Sequence, residues 1–431
     1  MKKTQAVRIS PLILIMLLGI SSTVLGDVQE HISKLHPYVR VQGLYDDNIY
    51  LTQDNKTSDF ITTITPGLKY KTQGPAYNFD LGFDLGMNFY ASNPDLNYIS
   101  YNGHLDTSYS LTPRWTVKLY DSIIRSRNNL QSYTLPTATG PQTVTSSSTG
   151  QGLYLQNVFQ PALEYKFGRE NVAALSYLNN IYRTEGDSSS GDYTQNAVTP
   201  RLTYWFDIRQ GMALDYTYTN AKLTDQPDWV GNNLGGRYLY RFNPHTTVFG
   251  EYRYNNFDYE FPGRDYSVQS PTVGVEHAFS PSLNGKAQFG WFWQVVDAGP
   301  SFNGPVINLS VTQRVQRTSY TLAFDSGWRN QSFTANTLGN QGFSKYYMAT
   351  ATVTHQLRER LSLGLTGSLT RDEYQLPDHI DYTYNIAANL AYRPLKWLTA
   401  SLEAGNSGRE SELNVNSYRD NRVMLKLTAE Y

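Results

Sequence analysis

From Tyr77 to Tyr90 the chain alternates without a break. Tyr77, Phe79, Leu81, Phe83, Leu85, Met87 and Phe89 fall on one side of an extended strand. Asn78, Asp80, Gly82, Asp84, Gly86 and Asn88 fall on the other. A period of two over this length is a strand, not a helix. It outruns the five or six residues of an average globular strand and reaches the roughly 9–11 needed to cross a bilayer at a tilt. The pattern recurs. Phe60, Thr62, Ile64, Pro66, Leu68 and Tyr70 oppose Thr63, Thr65, Gly67, Lys69 and Lys71; Leu361, Leu363, Leu365 and Leu369 oppose Ser362, Gly364, Thr366, Ser368 and Thr370. Tyr320, Leu322, Phe324 and Trp328 oppose Thr321, Asp325 and Arg329, and Leu398, Ala400, Leu402 and Ala404 oppose Thr399, Ser401 and Glu403. A soluble sandwich would set an aliphatic core on one face. Here the opposed face is small or charged, as a watery interior permits, and the composition (40% hydrophobic, 34 Tyr) is rich in interface-seeking rings.

Nine short connections punctuate these strands, near 73–75, 112–114, 168–171, 207–210, 243–245, 280–282, 316–318, 358–360 and 393–395, with longer polar loops between them. Short turns on one side and long loops on the other are the sidedness of an outer-membrane barrel, the short turns facing the periplasm. The sequence thus predicts an all-β fold, a closed antiparallel transmembrane β-barrel of about 20 strands. Merging the weakest hairpin, at Gln316-Arg317-Thr318, would leave 18 or so. A Pro-x-Leu-x-Tyr core repeats at Pro66, Pro161 and Pro200, with a looser copy at Pro271. Proline inside a paired strand loses a ladder bond and predicts a local bulge.

Residues 1–26 read as a signal peptide: Lys2, Lys3 and Arg8, then the apolar run Pro11–Ile20, then Val24-Leu25-Gly26 before a cut at Asp27. Residues 27–431 form the barrel domain, in which no later stretch has the length of a transmembrane helix. The net charge of -1 gives no basic excess for nucleic acid, and the lack of cysteine excludes thiolate chemistry. Tyr431, Leu427 and Leu425 share one face of the last strand. This resembles the C-terminal strand of outer-membrane proteins, which ends in an aromatic residue and is read by the barrel-assembly machinery.

Val41-Gln42-Gly43-Leu44-Tyr45-Asp46-Asp47-Asn48 is followed by Ser58-Asp59-Phe60 and Thr65-Pro66-Gly67-Leu68. This aromatic-Asp-Asp-Asn opening, with a strand leading to Thr-Pro-Gly, is similar to a β-barrel porin family associated with exopolysaccharide and exosortase gene clusters. The resemblance implies an outer-membrane channel in a Gram-negative bacterium, the outer exit for a secreted polysaccharide, working with outer-membrane lipid and periplasmic export components. It brings no catalytic residues.

The residues themselves point to no enzyme, cofactor or metal. Asp46-Asp47 and Asp378-His379, with Asp381, lie near predicted rims, but adjacent strand residues point to opposite faces and cannot share a water unless they sit in bent loops. Asp46, Asp47, Asn48, Asp54 and Asn55 hold oxygens that could meet calcium, yet their spacing is not that of an EF-hand, and loop hydration accounts for them. The expected lumen face carries Lys69, Lys71, Asp80, Asp84, Asp106, Lys118, Glu164, Lys166, Arg201, Arg237, Arg253, Asp325, Arg329, Glu403 and Lys426, of mixed sign. Tyr120, Tyr154 and Trp205 are aromatic candidates for stacking on sugar rings. The rival reading is a structural or adhesive surface protein that conducts little and works through its loops.

Overall fold

The structure, a computed structural model, describes residues 34–127, 130–137, 140–147, 152–185, 191–224, 226–260, 265–297, 299, 301–330, 343–375 and 377–431. The signal segment and its cleavage point lie outside these residues. The strands are β1 (Leu35–Asp46), β2 (Asp59–Gln73), β3 (Tyr77–Tyr90), β4 (Tyr98–Ser110), β5 (Trp115–Ser126), β6 (Leu130–Thr137), β7 (Gly140–Ser147) and β8 (Leu153–Phe167). They continue with β9 (Asn171–Glu185), β10 (Tyr193–Trp205), β11 (Gln210–Leu223), β12 (Trp229–Asn243), β13 (Thr246–Tyr259), β14 (Tyr266–Ser280) and β15 (Leu283–Val296). The last are β16 (Asn303–Val315), β17 (Thr318–Asn330), β18 (Phe343–Arg358), β19 (Leu361–Gln375), β20 (Asp378–Leu395), β21 (Leu398–Ser411) and β22 (Tyr418–Glu430).

Twenty of these strands form one antiparallel sheet. Each pairs with its chain neighbour, except that β5 passes over the separate β6–β7 hairpin to pair with β8. The sheet closes where β1 pairs with β22, from Tyr38 opposite Glu430 to Asp46 opposite Arg422. Closure removes the edges that would otherwise leave backbone groups unpaired in lipid. The hairpin at Gln316-Arg317 is real, so the count is 20 and not 18. Gln316 makes that turn with φ at 49°, a left-handed conformation with no glycine to announce it. The last short turn falls at Lys396-Trp397, later than Arg393-Pro394-Leu395, because β20 runs on through a register shift between Tyr392 and Leu395.

The four prolines of the repeated Pro-x-Leu-x-Tyr core and its looser copy do not make bulges. At each one the ladder to the strand across the short turn skips two pairs and resumes in the same register: Ile64↔Met87 then Gly67↔Asp84, Phe159↔Asn179 then Ala162↔Ser176, Val198↔Tyr218 then Arg201↔Asp215, Gln269↔Trp293 then Thr272↔Gly290. On its other side each proline stays opposite a partner: Val39, Leu119, Leu175 and Tyr252. A missing N–H costs one bond, and the two ladders on either side hold the register.

Alternation sets two faces. The outer one exposes apolar side chains such as Phe83 (48%), Leu322 (59%) and Leu369 (55%). The concave face carries the charges and, toward the long loops, the buried side chains.

Candidate functional site: the barrel interior

Toward the short turns the interior is lined by ion pairs between strands one or two apart in the sheet. Lys71 Nζ lies 2.8 Å from Asp80, and Lys69 Nζ lies 2.8 Å from Glu430 across β1. Asp84 accepts the Tyr38 hydroxyl at 3.0 Å and pairs with Arg40 at 3.4 Å. Lys118 Nζ lies 2.7 Å from Glu164. Arg253 bridges Asp215, at 3.4 Å, and Glu251; the latter also accepts Arg237 Nε at 2.9 Å. Of the other expected lumen residues, Asp106 stands opposite Asp80 and Tyr120, Arg201 opposite Asp215, Glu403 opposite Asn389, and Lys426 opposite Gln42. Lys166 stands opposite Val172. Trp205 lies under the Arg241 guanidinium, 3.5 Å from its ring centre. Most of these pairs are half-exposed and add little to stability. Their effect is on the field: each paired cation sits beside an anion, which makes these pairs shallow traps of either sign.

Arg40, Asp215, Glu251 and Glu430 join these pairs although the sequence list passed over them. Val39 and Val41 against Tyr38, Arg40 and Gln42 would have given Arg40. Glu251 is hidden because Phe249 lies on its own face and Gly250 on the lipid side.

Toward the long loops the interior is packed. Tyr154, Tyr182 and Tyr193 stack, with centroids 5.3 and 5.5 Å apart. Tyr154 is only 4% exposed, so it offers no open face to a sugar ring. The loop after β1 puts Ile49 against Ile61 and Tyr90. The largest cluster joins Trp229, Phe257, Tyr266, Val268 and Phe292 to Phe343, with Trp328 against it. Here the structure departs from simple alternation. Trp328 is on the face that carries Tyr320 and Leu322, so the sequence assigns it to lipid. The β16–β17 ladder ends at Ile307↔Ser326; above it Asn303 to Val306 pair only with β15, and Gly327 to Asn330 only with β18. Freed from β16, the upper ends of β17 to β19 tuck inside the wall, and their former outer face meets the inner face of β13 to β15. Trp328 Nε1 donates to Ser270 at 3.3 Å, Asn330 Nδ2 to the Tyr259 hydroxyl at 3.1 Å, and Gln294 Nε2 to Gln375 at 3.0 Å. These contacts join strands that are not neighbours in the sheet, which only the interior allows.

The other face of this tucked layer holds Asp325 and Arg329. Asp325 accepts the Tyr346 hydroxyl at 3.1 Å, and Arg329 donates to Asp372 at 2.6 Å with its guanidinium over the Tyr346 ring. His379 shares a face with Asp381, its Nε2 3.6 Å from the carboxylate, while Tyr374 stacks on the imidazole. At 1% exposure the imidazole cannot reach a substrate from solvent. At the short turns, outside the spanning segments, backbone N–H groups of Arg209 and Gln210 hold the Asp207 carboxyl below its usual value, and Arg241 does the same for Glu170.

A closed wall of twenty antiparallel strands, apolar outside and charge-paired inside, defines an outer-membrane β-barrel of porin type. The chain belongs to the family described as "Putative beta-barrel porin 2", whose family model matches residues 204–431. No curated protein matches the sequence. Among solved structures, the siderophore receptor PirA from Pseudomonas aeruginosa is similar at 10% identity and a TM-score of 0.52, over 92% of this chain and 80% of that one. The alcaligin outer-membrane receptor FauA from Bordetella pertussis is similar at 11% identity and a TM-score of 0.51, over 92% and 76%. OccAB4 from Acinetobacter baumannii aligns over 92% and 98% at 10% identity and a TM-score of 0.44. At such identities the likeness to the two receptors is one of fold.

Proposed function

We propose that the protein is an outer-membrane channel serving as the outer exit for an exopolysaccharide, opened by movement of its packed mouth. The observation that carries this reading is the lower interior, where Lys69–Glu430, Lys71–Asp80, Lys118–Glu164 and Arg253–Asp215 leave polar groups with balanced charge. A hydrated, weakly charged chain passes such a wall by many weak contacts. Barrels of 16–18 or so strands already leave an aqueous channel, and this one has 20. The motif around Tyr45-Asp46-Asp47-Asn48 supports polysaccharide as cargo. On this reading the assembly machinery inserts the barrel through its last strand, and periplasmic export components deliver the chain to the short-turn side.

The packed clusters at the other end favour a second reading, a surface protein that conducts little. A strain lacking the protein separates the two. The channel reading expects loss of surface polysaccharide with cytoplasmic precursors retained. Normal surface polysaccharide would leave the structural reading in place.

A further inference from the structure

The β1–β22 seam ends in a group of carboxylates drawn from both ends of the described chain. Asp46 is the last residue of β1, Asp47 opens the following loop, and Asp420 lies near the start of β22. One carboxylate oxygen from each of Asp46, Asp47 and Asp420 lies within 4.8 Å of the other two. Asp47 is held in place by Asn421, whose N–H and Nδ2 donate to its two oxygens at 2.7 and 2.6 Å. Asp46 Oδ1 accepts the Asn48 N–H at 2.8 Å. Asp46 is 4% exposed and Asp420 1%.

Against these three carboxylates stands one guanidinium. Arg422 Nε lies 3.0 Å from Asp46 Oδ2 and 2.6 Å from Asp420 Oδ2. The group is thus short of positive charge. Its most buried member, Asp420, accepts no hydrogen bond on either oxygen. Carboxylates removed from water are paired, hydrogen-bonded or bound to a cation, and Asp420 lacks the hydrogen bonds and shares its counter-charge with Asp46.

We propose that Asp46, Asp47 and Asp420 bind one divalent hard cation, calcium, at the long-loop end of the seam. The donors are all oxygens, which excludes a soft-ligand zinc centre. Their irregular placement suits calcium, which accepts six to eight or so oxygens in flexible geometry, better than magnesium, which demands an octahedron. Bound there, calcium ties the loop carrying Ile49 to β22 and so holds the Ile49–Ile61–Tyr90 cluster in the mouth. A sequence reading limited to the first loop could not find the site, because Asp420 comes from the far end of the chain.

Calcium chloride titrated into the detergent-folded protein after chelation tests this, by calorimetry and by thermal unfolding. The expected result is one saturable site and a melting temperature that rises with calcium. Asp420→Asn should weaken binding at least tenfold and remove the rise, while Asp54→Asn, outside the cluster, keeps both. Heat-modifiable gel mobility checks folding. Should Asp420→Asn not fold, Asp47→Asn, on the wetter side, must show the same loss. No binding by the wild type, equal binding by the folded variants, or equal affinity for magnesium chloride would overturn the proposal. So would a wild type that ignores calcium while Asp420→Asn melts higher in chelator, since the carboxylates would then repel one another with no cation to offset them.

Discussion

Trp328 stacks on Phe343 with ring centres 5.7 Å apart and planes within 9° of parallel, on a face that lower in the same strands looks out to lipid. The pair marks where β17 leaves β16 and the wall turns inward. Trp328, on β17, also meets Phe257 on β13 edge-on at 6.0 Å, so the tucked layer is fastened to the inner face of the nearby wall by aromatic burial.

Glu251 is the most enclosed carboxylate of the lower interior, between Arg237 and Arg253. Removing one member of such a group leaves the others without a counter-charge, at about 3–5 kcal/mol. Glu251→Ala should lower stability by that order and shift any conductance toward anions. Urea unfolding and reversal potentials under a salt gradient measure the two effects, and unchanged values for both would count against the assigned network.

Leu369 is exposed on the outer face of β19, opposite Ala349 and Tyr384, and Ser368 is on the inner face. Arginine near the bilayer midplane costs roughly 2–4 kcal/mol. Leu369→Arg should therefore reduce folded protein in vesicles, and Ser368→Asn should stay within about 0.5 kcal/mol of wild type. Equal effects would reverse the face assignment.

Gly290 stands where the β14–β15 ladder resumes after Pro271. A Cβ there would come within 2.1 Å of the Pro271 carbonyl oxygen. Only glycine allows that approach, so Gly290→Ala must push the strands apart, at about 1–3 kcal/mol. Gly250→Ala, where a Cβ meets nothing within 4 Å, is the control. If both alanines melt together, the close approach at Pro271 is not needed.

These positions show what was legible in the sequence. Period-two alternation and the turn spacing give the barrel, its sidedness and its strand count, because both are local. The lower interior follows wherever alternation is clean, as at Lys69, Asp80 and Lys118. The turn at Gln316-Arg317 is legible but is the weakest of the nine, because its left-handed residue is not glycine. Two features were not legible. The proline gaps keep register because of ladders to other strands. The inward tuck of β17 to β19 reverses the meaning of a face partway along a strand, and no local pattern records where a ladder ends.

At the seam, the Tyr431 N–H donates to the Pro37 carbonyl at 3.0 Å, and Leu425 and Leu427 stand opposite Gly43 and Val41. If this strand is read during assembly, Tyr431→Asp or Leu427→Asp should slow insertion more than Val415→Asp does in an exposed turn. Pulse-labelling with heat-modifiable mobility follows the rate. Equal rates for all three would refute a special role for the last strand.

The channel we propose is charge-balanced and held shut by its own wall. Single-channel recording in planar bilayers tests it most directly, on wild type beside Trp328→Ala and Phe343→Ala variants shown to be folded. The account predicts small or rare openings for wild type and larger, longer ones for both variants. Folded variants that stay as silent as the wild type would contradict it.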